Sequence, residues 1–229
     1  HLGIGVPVDG DSIYNGAVDN ATGCGLIIEL ARAFAQRIPS PPRSIVFAAV
    51  TAEEGGLRGS EFYARHPVVP TGMTAVNINF DGLMPLGPSR DITLPGYERT
   101  TLRGLVDRIA EEFGLSISPE AHPEQGYYYR SDHFSLAKAG VPAFSLRLTG
   151  DFLGRPLGSG KKARETYVAN HYHQPSDEVD PSWDFSGLEQ LARVGFEIGR
   201  RAAELPDLPT WNPGDEFLAA REASWRKEQ

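Results

Sequence analysis

Little in the composition of this chain points to a disulfide scaffold, a membrane protein or a nucleic-acid binder. Its 229 residues include one cysteine, Cys24, so no disulfide can form within the chain. No apolar run approaches the roughly 20 residues that a membrane-spanning helix needs. The net charge of −8 argues against a broad surface for nucleic acid or anionic lipid. With 40% hydrophobic residues, the chain has the composition of a globular protein with one good-sized core.

Segments with helical and with strand-like apolar spacing alternate along the chain. This alternation is typical of a sheet covered by helices, so we predict one α/β domain over residues 1–229, with a tail at 205–229. The predicted helices lie at 19–38, 100–114, 131–140 and 185–205, with a short polar helix in the tail. Strands are predicted at 42–50, 73–80 and 141–148, and a loop at 150–181. Ser131 or Asp132 is the expected N-cap of the third helix.

Four acidic residues stand at the ends of predicted elements. Asp19 precedes the first helix, and Asp81 ends the second predicted strand. The adjacent pair Glu53 and Glu54 follows the first strand and meets two glycines. If these strands are parallel and adjacent, the carboxylates converge beyond their carboxyl ends, and such like charges need a cation, most naturally a divalent metal. Taken singly, an aspartate such as Asp19 is more often a helix cap, and an aspartate that ends a strand is often a turn former.

Two histidines in "NHYHQPSDE" add possible metal ligands. His171 or His173 could bind zinc, and Asp177 could orient the ligand from behind. The alternative, that both are surface loop residues, is about equally favoured by these residues alone. The remaining histidines are predicted to be surface or structural residues: His66, His122 and His133.

Five motifs occur in the order and rough spacing of the M28 metallopeptidases: "NGAVDNATG", "TAEEGGLRGS", "NINFDG", "YRSDHFSLAKAGVPAF" and "YHQPSDE". The chain resembles this family of co-catalytic zinc aminopeptidases over essentially its whole length, and is most similar to bacterial exported members. The resemblance implies a three-layer α/β/α fold with a central mixed, mostly parallel sheet. It also implies a peptide substrate and a periplasmic or secreted protein.

The resemblance implies a set of metal ligands for this sequence. Asp19 would be the carboxylate that bridges two zinc ions. Glu54 and His173 would complete one zinc site, and Asp81 would hold the other ion.

The resemblance also implies roles in the reaction. Glu53 would be the general base that takes a proton from the attacking water, and Tyr172 would donate a hydrogen bond to the tetrahedral intermediate. Arg130 and Asp132 would line the substrate pocket. Tyrosines 127–129 are predicted to form a buried strand, with a place in the pocket as the alternative.

One part of the family pattern is not found in this sequence. The family carries an "H-x-D" motif a few residues ahead of an "HLG", and here the chain begins at "HLG", so His1 aligns after the motif. We therefore expect a C-terminal portion of a longer chain that lacks upstream sheet elements. The expected cofactor is zinc, with two ions in the longer parent and a single ion, at Asp19, Glu54 and His173, as the expectation for this chain.

Two other functions are compatible with these motifs. Glutaminyl cyclases look similar, use one zinc, and carry a segment that "RSDHF" resembles, although "TAEEGG" and "GAVDNATG" favour the peptidase. The second alternative is a non-catalytic binding module on the same fold.

Overall fold

Helices and strands alternate along residues 3–120 and 123–227, the part of the chain that the computed structural model describes. The predictions for His1 and His122 fall outside these ranges. The strands within them are β1 Gly3–Val8, β2 Asp11–Tyr14, β3 Asn77–Asn79, β4 Asp91–Thr93, β5 Ser116–Ile117, β6 Ala143–Ser145 and β7 Arg147–Leu148. The α-helices within them are α1 Thr22–Ala35, α2 Arg58–Arg65, α3 Arg103–Glu112, α4 His133–Lys138, α5 Ser159–Asn170, α6 Ser186–Glu204 and α7 Leu218–Lys227.

The strand pairing is partly parallel and partly antiparallel. β3 runs parallel to β6, and β4 lies between β5, which is parallel to it, and β7, which is antiparallel. β1 and β2 form a separate antiparallel hairpin. This mixture of helices with parallel and mixed sheets confirms the predicted α/β class.

The main core lies where α6 packs on the strands and on two other helices. Leu191, Val194 and Ile198 are buried and recur three and four residues apart, which places them on one face of α6. Their partners come from α1, α3 and the strands: Leu26, Leu30, Val106, Ile109, Phe144 and Leu146. Phe80 packs against α6 at Gly195, where an added Cβ would come within 2.7 Å of its ring. Because Phe80 is held in the core, its neighbour Asp81 is held at the end of β3.

Two predicted strands differ from the observed structure, because a strand forms only where it can pair with a partner strand. The segment 42–50 has no regular structure, and Val46 and Phe47 in it are exposed, because no described strand pairs with it. The segment 141–148 is divided into β6 and β7, which pair with different strands on either side of Leu146. The strand predicted at 42–50 is therefore wrong, whereas apolar spacing located 141–148 correctly but not its division into two strands.

Two other predictions are wrong in type of structure. Helix α5 lies inside the predicted loop 150–181; only Gly160 and Tyr167 are buried in it, so it carries no apolar stripe to reveal it. Tyrosines 127–129 belong to a 3₁₀ turn, Tyr127–Arg130, that follows Gly126 at φ +63°, and only Tyr128 is buried. The predicted buried strand is absent there.

The tail is anchored by two buried residues. The indole N–H of Trp211 donates to the carbonyl of Gly140 at 3.0 Å. The guanidinium of Arg221, in α7, donates to the carbonyls of Thr71 and Pro209 at 3.0 and 2.8 Å. The predicted tail helix is therefore confirmed, and it is docked rather than free. In the described ranges, no helix combines the length and apolar character needed to cross a membrane.

Candidate metal centre

Asp19 lies in the bend that joins β2 to α1 and is buried. The carboxylate of Asp177 accepts hydrogen bonds from the backbone amides of Val18 and Asp19 at 3.0 and 3.1 Å. Tyr167 donates its hydroxyl to the same carboxylate at 3.1 Å. These bonds hold the bend from behind, so the side chain of Asp19 is placed by a buried acid in another segment.

The helix-cap alternative for Asp19 is wrong. The side chain of Asn20, not of Asp19, accepts the hydrogen bond from the amide of Gly23 in the first turn of α1, at 3.1 Å. Asn20 also donates its side-chain amide to the carbonyl of Phe80 at 2.9 Å, which ties the start of α1 to the end of β3.

Glu53 and Glu54 lie in a tight turn rather than at the end of a strand. The amides of Gly56 and Leu57 both donate to the backbone carbonyl of Glu53, at 3.0 and 2.8 Å. Gly56 has φ +93°, a conformation that glycine adopts without steric cost, as the glycines after the glutamates predicted. This turn directs the side chain of Glu54 to the site.

His173 completes a group of three possible ligands. Its Nε2 lies 2.8 Å from Oε1 of Glu54 and 3.3 Å from Oδ2 of Asp19. One ligand atom from each residue can be chosen so that all three lie within 4.8 Å of one another. Nε2 of His173 is buried and forms no hydrogen bond despite these distances. One imidazole nitrogen and two carboxylates form a donor set that suits zinc, so these residues fit a bound metal ion.

The neighbouring His171 is not part of this group. It follows the last turn of α5, and its Nδ1 lies 3.1 Å from both the carbonyl and the hydroxyl of Ser176. The residues alone left both histidines open as ligands, and the structure agrees with the family resemblance, which pointed to His173. It also shows that Asp177 does not orient a histidine, because its carboxylate is bonded to the Asp19 bend instead.

Asp81 stands apart from this three-residue group. Its Oδ2 accepts a hydrogen bond of 2.6 Å from the hydroxyl of Ser131, which itself accepts one of 2.7 Å from the side-chain amide of Asn79. Ser131 therefore orients Asp81 and does not cap α4. Asp132 is the residue at the N-cap position, and its side chain makes no cap bond.

Tyr172 lies against the ligand group. Its ring stacks on that of His173 with centroids 3.7 Å apart. Burial, with the charges of Asp19, Glu54 and Glu53 in that order, raises the pKa of Tyr172 to about 12. Arg130 opposes this rise, so its charge also reaches the Tyr172 hydroxyl. The hydroxyl is thus a neutral hydrogen-bond donor among acidic groups.

Tyr167 was not among the predicted site residues, and Asp177 has a different role from the predicted one. Tyr167 lies on α5, within the segment predicted as a loop, so no pattern marked it. For His133, the predicted structural role is confirmed: it is buried at the start of α4, and its ring meets the edge of Tyr128.

Replacement of Asp177 by asparagine is expected to weaken zinc binding by roughly 10- to 100-fold, the usual cost of losing a supporting partner. The amide nitrogen of asparagine cannot accept the bond that one of the two backbone amides now donates. Zinc affinity measured by competition with a chelator tests this. Asp180→Asn is the matched control, because exposed Asp180 likewise accepts a backbone bond, from Ser182 at 2.8 Å. Equal zinc affinity in both variants would contradict the role of Asp177.

Comparison with known proteins agrees with this picture. Residues 1–195 match peptidase family M28. A probable zinc metalloprotease of Pyricularia oryzae (strain 70-15) is 54% identical over 50 residues, which are 22% of this chain and 10% of that protein.

Solved structures of aminopeptidases share the fold. The aminopeptidase from Aneurinibacillus sp. strain AM-1 superposes with a TM-score of 0.60 at 22% identity, covering 87% of this chain and 42% of that one. The LapA aminopeptidase of Legionella pneumophila superposes with a TM-score of 0.62 at 17% identity, covering 86% and 48%. A glutaminyl cyclase of Porphyromonas gingivalis gives 0.53 at 14% identity, covering 87% and 67%. The chain therefore spans less than half the length of the two aminopeptidases.

Proposed function

The chain belongs to peptidase family M28, and from this membership we propose that it is a zinc-dependent exopeptidase that removes N-terminal residues from peptides. The observation that carries the proposal is the convergence of Asp19, Glu54 and His173, with a second carboxylate, Glu53, directly beside Glu54 in the chain. Carboxylates this close together repel one another, and a bound cation would balance their charge.

Family membership and the three-residue group both imply zinc. We propose two ions as the full complement, with Asp19 shared between them and Asp81 holding the second. Ser131 donates a hydrogen bond to Oδ2 of Asp81, and this bond would orient the carboxylate that we propose as a ligand of the second ion. The chemistry that bound zinc supplies is Lewis-acid polarisation of the peptide carbonyl and easier loss of a proton from water.

The remaining roles belong to side chains of this chain. Glu53 accepts the proton of the attacking water, because its turn places it beside Glu54 without making it a member of the ligand group. Tyr172 keeps its proton and donates a hydrogen bond to the oxygen that becomes negative. The acidic centre attracts the positive α-amine of a peptide. Arg130 and Asp132 line the substrate pocket in this proposal.

A glutaminyl cyclase is the second candidate. One observation favours it: the described residues bring together a single three-ligand group, as a one-zinc enzyme requires. The fold is also shared with the Porphyromonas gingivalis enzyme. Formation of pyroglutamate from a peptide that begins with glutamine would distinguish this reaction from hydrolysis.

The proposal extends to organisation and location. Trp211 and Phe217 pack with Tyr128 in a second core cluster, which supports one catalytic domain that includes the tail. A periplasmic or secreted location is proposed from the resemblance to exported members of the family.

The test is a zinc-dependent assay of the chain. We expect that it binds zinc, hydrolyses aminoacyl-nitroanilides, loses both properties after chelation, and regains both when zinc is restored. Zinc content is measured by elemental analysis and hydrolysis by nitroaniline release. Zinc binding without hydrolysis, together with cyclisation of a glutamine peptide, would favour the second candidate. Absence of zinc binding would indicate a non-catalytic module.

A further inference from the structure

A pocket opens directly beyond Asp81. The residues that follow Asp81, from Gly82 to Met84, form one side of it, and β7 and the start of α5 form the others. Together with its open mouth it contains about 420 Å³ of empty space. Much of this space is open to solvent, and the enclosed volume is only about 40 Å³, so a narrow ligand group suits it better than a bulky one. None of the roles given above to the site residues involves this pocket.

Arg147 is the first of two cationic side chains on this pocket. Its Nε is buried and forms no hydrogen bond. Among the described residues, no carboxylate lies within 4.0 Å of its guanidinium. Burial lowers the pKa of Arg147, and the charge of Arg164 lowers it further, while Asp81 and Glu120 oppose the shift. The two acids therefore balance this cation only from a distance.

Arg164 is the second cation. It lies on α5 and lines the same pocket as Arg147. Gly160, one turn earlier on that helix, also lines the pocket, so the amino-terminal end of α5, which carries partial positive charge, forms part of the wall. In the described part of the chain, Arg164 has no ion-pair partner either. Three positive features thus surround a space that holds no acidic side chain.

Apart from Thr149 and backbone at the glycines, the rest of the lining is apolar. Leu83, Leu148, Phe152 and Leu188 supply it. Such a wall accepts methylene groups, and the two guanidiniums accept an anion in a geometry that matches a carboxylate. The complementary ligand is a short aliphatic chain that ends in a carboxylate.

We propose that Arg147 and Arg164 bind a carboxylate of the peptide substrate in this pocket. The proposal rests on the proposed peptidase function only for the identity of the ligand as a peptide. Two parts of a peptide carry this chemistry: an acidic side chain at the N-terminal residue, and the C-terminal carboxylate of a very short peptide.

Matched acid and amide compounds test the proposal. The binding of glutarate and of glutaramide is compared by calorimetry. Each is measured with and without zinc, because glutarate that binds to the metal would bind only when zinc is present. We expect zinc-independent binding of glutarate but not of glutaramide. Hydrolysis of Glu-p-nitroanilide is compared with that of Gln-p-nitroanilide, and hydrolysis of Leu-Leu with that of its C-terminal amide. The pair in which the acid is preferred identifies which carboxylate is bound.

The variants Arg147→Met and Arg164→Met separate the pocket from other cations. Each should weaken glutarate binding and the preference for the acid by roughly 10- to 100-fold, the worth of a charged hydrogen bond. Methionine has a similar length and needs no charge partner, so the half-buried position of Arg147 should tolerate it. Lys162→Met is the control, because Lys162 is an exposed cation on α5 that does not line the pocket.

The outcomes distinguish this proposal from the proposed function. Equal binding and equal hydrolysis of the acid and amide compounds would overturn the proposed carboxylate site. So would glutarate binding that survives both arginine variants. Neither result would argue against peptide hydrolysis by the chain. Glutarate binding that depends on Arg147 and Arg164, in a chain that hydrolyses no peptide, would support the pocket and overturn the peptidase.

Discussion

Replacement of Glu53 by glutamine is expected to lower the rate of aminoacyl-nitroanilide hydrolysis by about 10²- to 10⁴-fold, the usual contribution of a general base. Glutamine has the same shape but cannot accept a proton near neutral pH. The turn should survive, because its two hydrogen bonds are accepted by the backbone carbonyl of Glu53 and not by the side chain. Steady-state kinetics of the zinc-loaded variant give the measurement.

Comparison with the adjacent Glu54 separates the loss of a general base from the loss of a zinc ligand. Glu53→Gln should keep its zinc, whereas Glu54→Gln should lose zinc affinity, because Oε1 of Glu54 lies 2.8 Å from Nε2 of His173 in the ligand group. Glu61→Gln is the neutral control, since Glu61 pairs with Arg65 on the exposed face of α2. Full activity in Glu53→Gln would remove it as the base. Loss of zinc from that variant would show instead that Glu53 is a zinc ligand.

Replacement of His173 by alanine is expected to weaken zinc binding beyond the roughly 100-fold that the loss of a supporting partner costs. The reason is that Nε2 of His173 is the sole nitrogen donor of the group and the atom that contacts both carboxylates. Without it, the carboxylates of Asp19 and Glu54 still repel each other, and the metal has lost its nitrogen ligand. Competition with a chelator of known affinity measures the change.

His171→Ala is the matched control for this prediction. It removes the same side chain two residues earlier, from a ring whose Nδ1 contacts Ser176 and not the acids. Zinc affinity should be unchanged in that variant. A larger loss of affinity in His171→Ala than in His173→Ala would reverse the assignment of the ligand.

The helices of the core were predictable because their apolar residues repeat on one face. Helices α1, α3 and α6 all carry such a stripe, and all three form where the sequence predicts them. Helix α5 lacks the stripe, so its segment was predicted as a loop. Strand 42–50 was overpredicted for the opposite reason: it has apolar residues, but a strand exists only through a partner, and none of the described residues supplies one.

The candidate site was predictable in its residue types and less so in its arrangement. The order of motifs named Asp19, Glu54 and His173, and the structure brings these three together. The predicted location of Glu54 was wrong, since it lies in a turn rather than at the end of a strand. Asp81 was expected to converge with them, and its role as a ligand stays a prediction.

What the sequence by itself determined is the chemistry available to this protein: the kinds of ligand, the acidic pair, the family and the helices that pack the core. Local spacing and residue type carry that information. Only the tertiary structure brought His173 to the acids, set His171 against Ser176 instead, and showed that Asp177 supports Asp19. It alone brought Arg147 and Arg164 to one pocket. These contacts join residues far apart in the chain, and a contact of that kind depends on how the core packs, which no short pattern encodes.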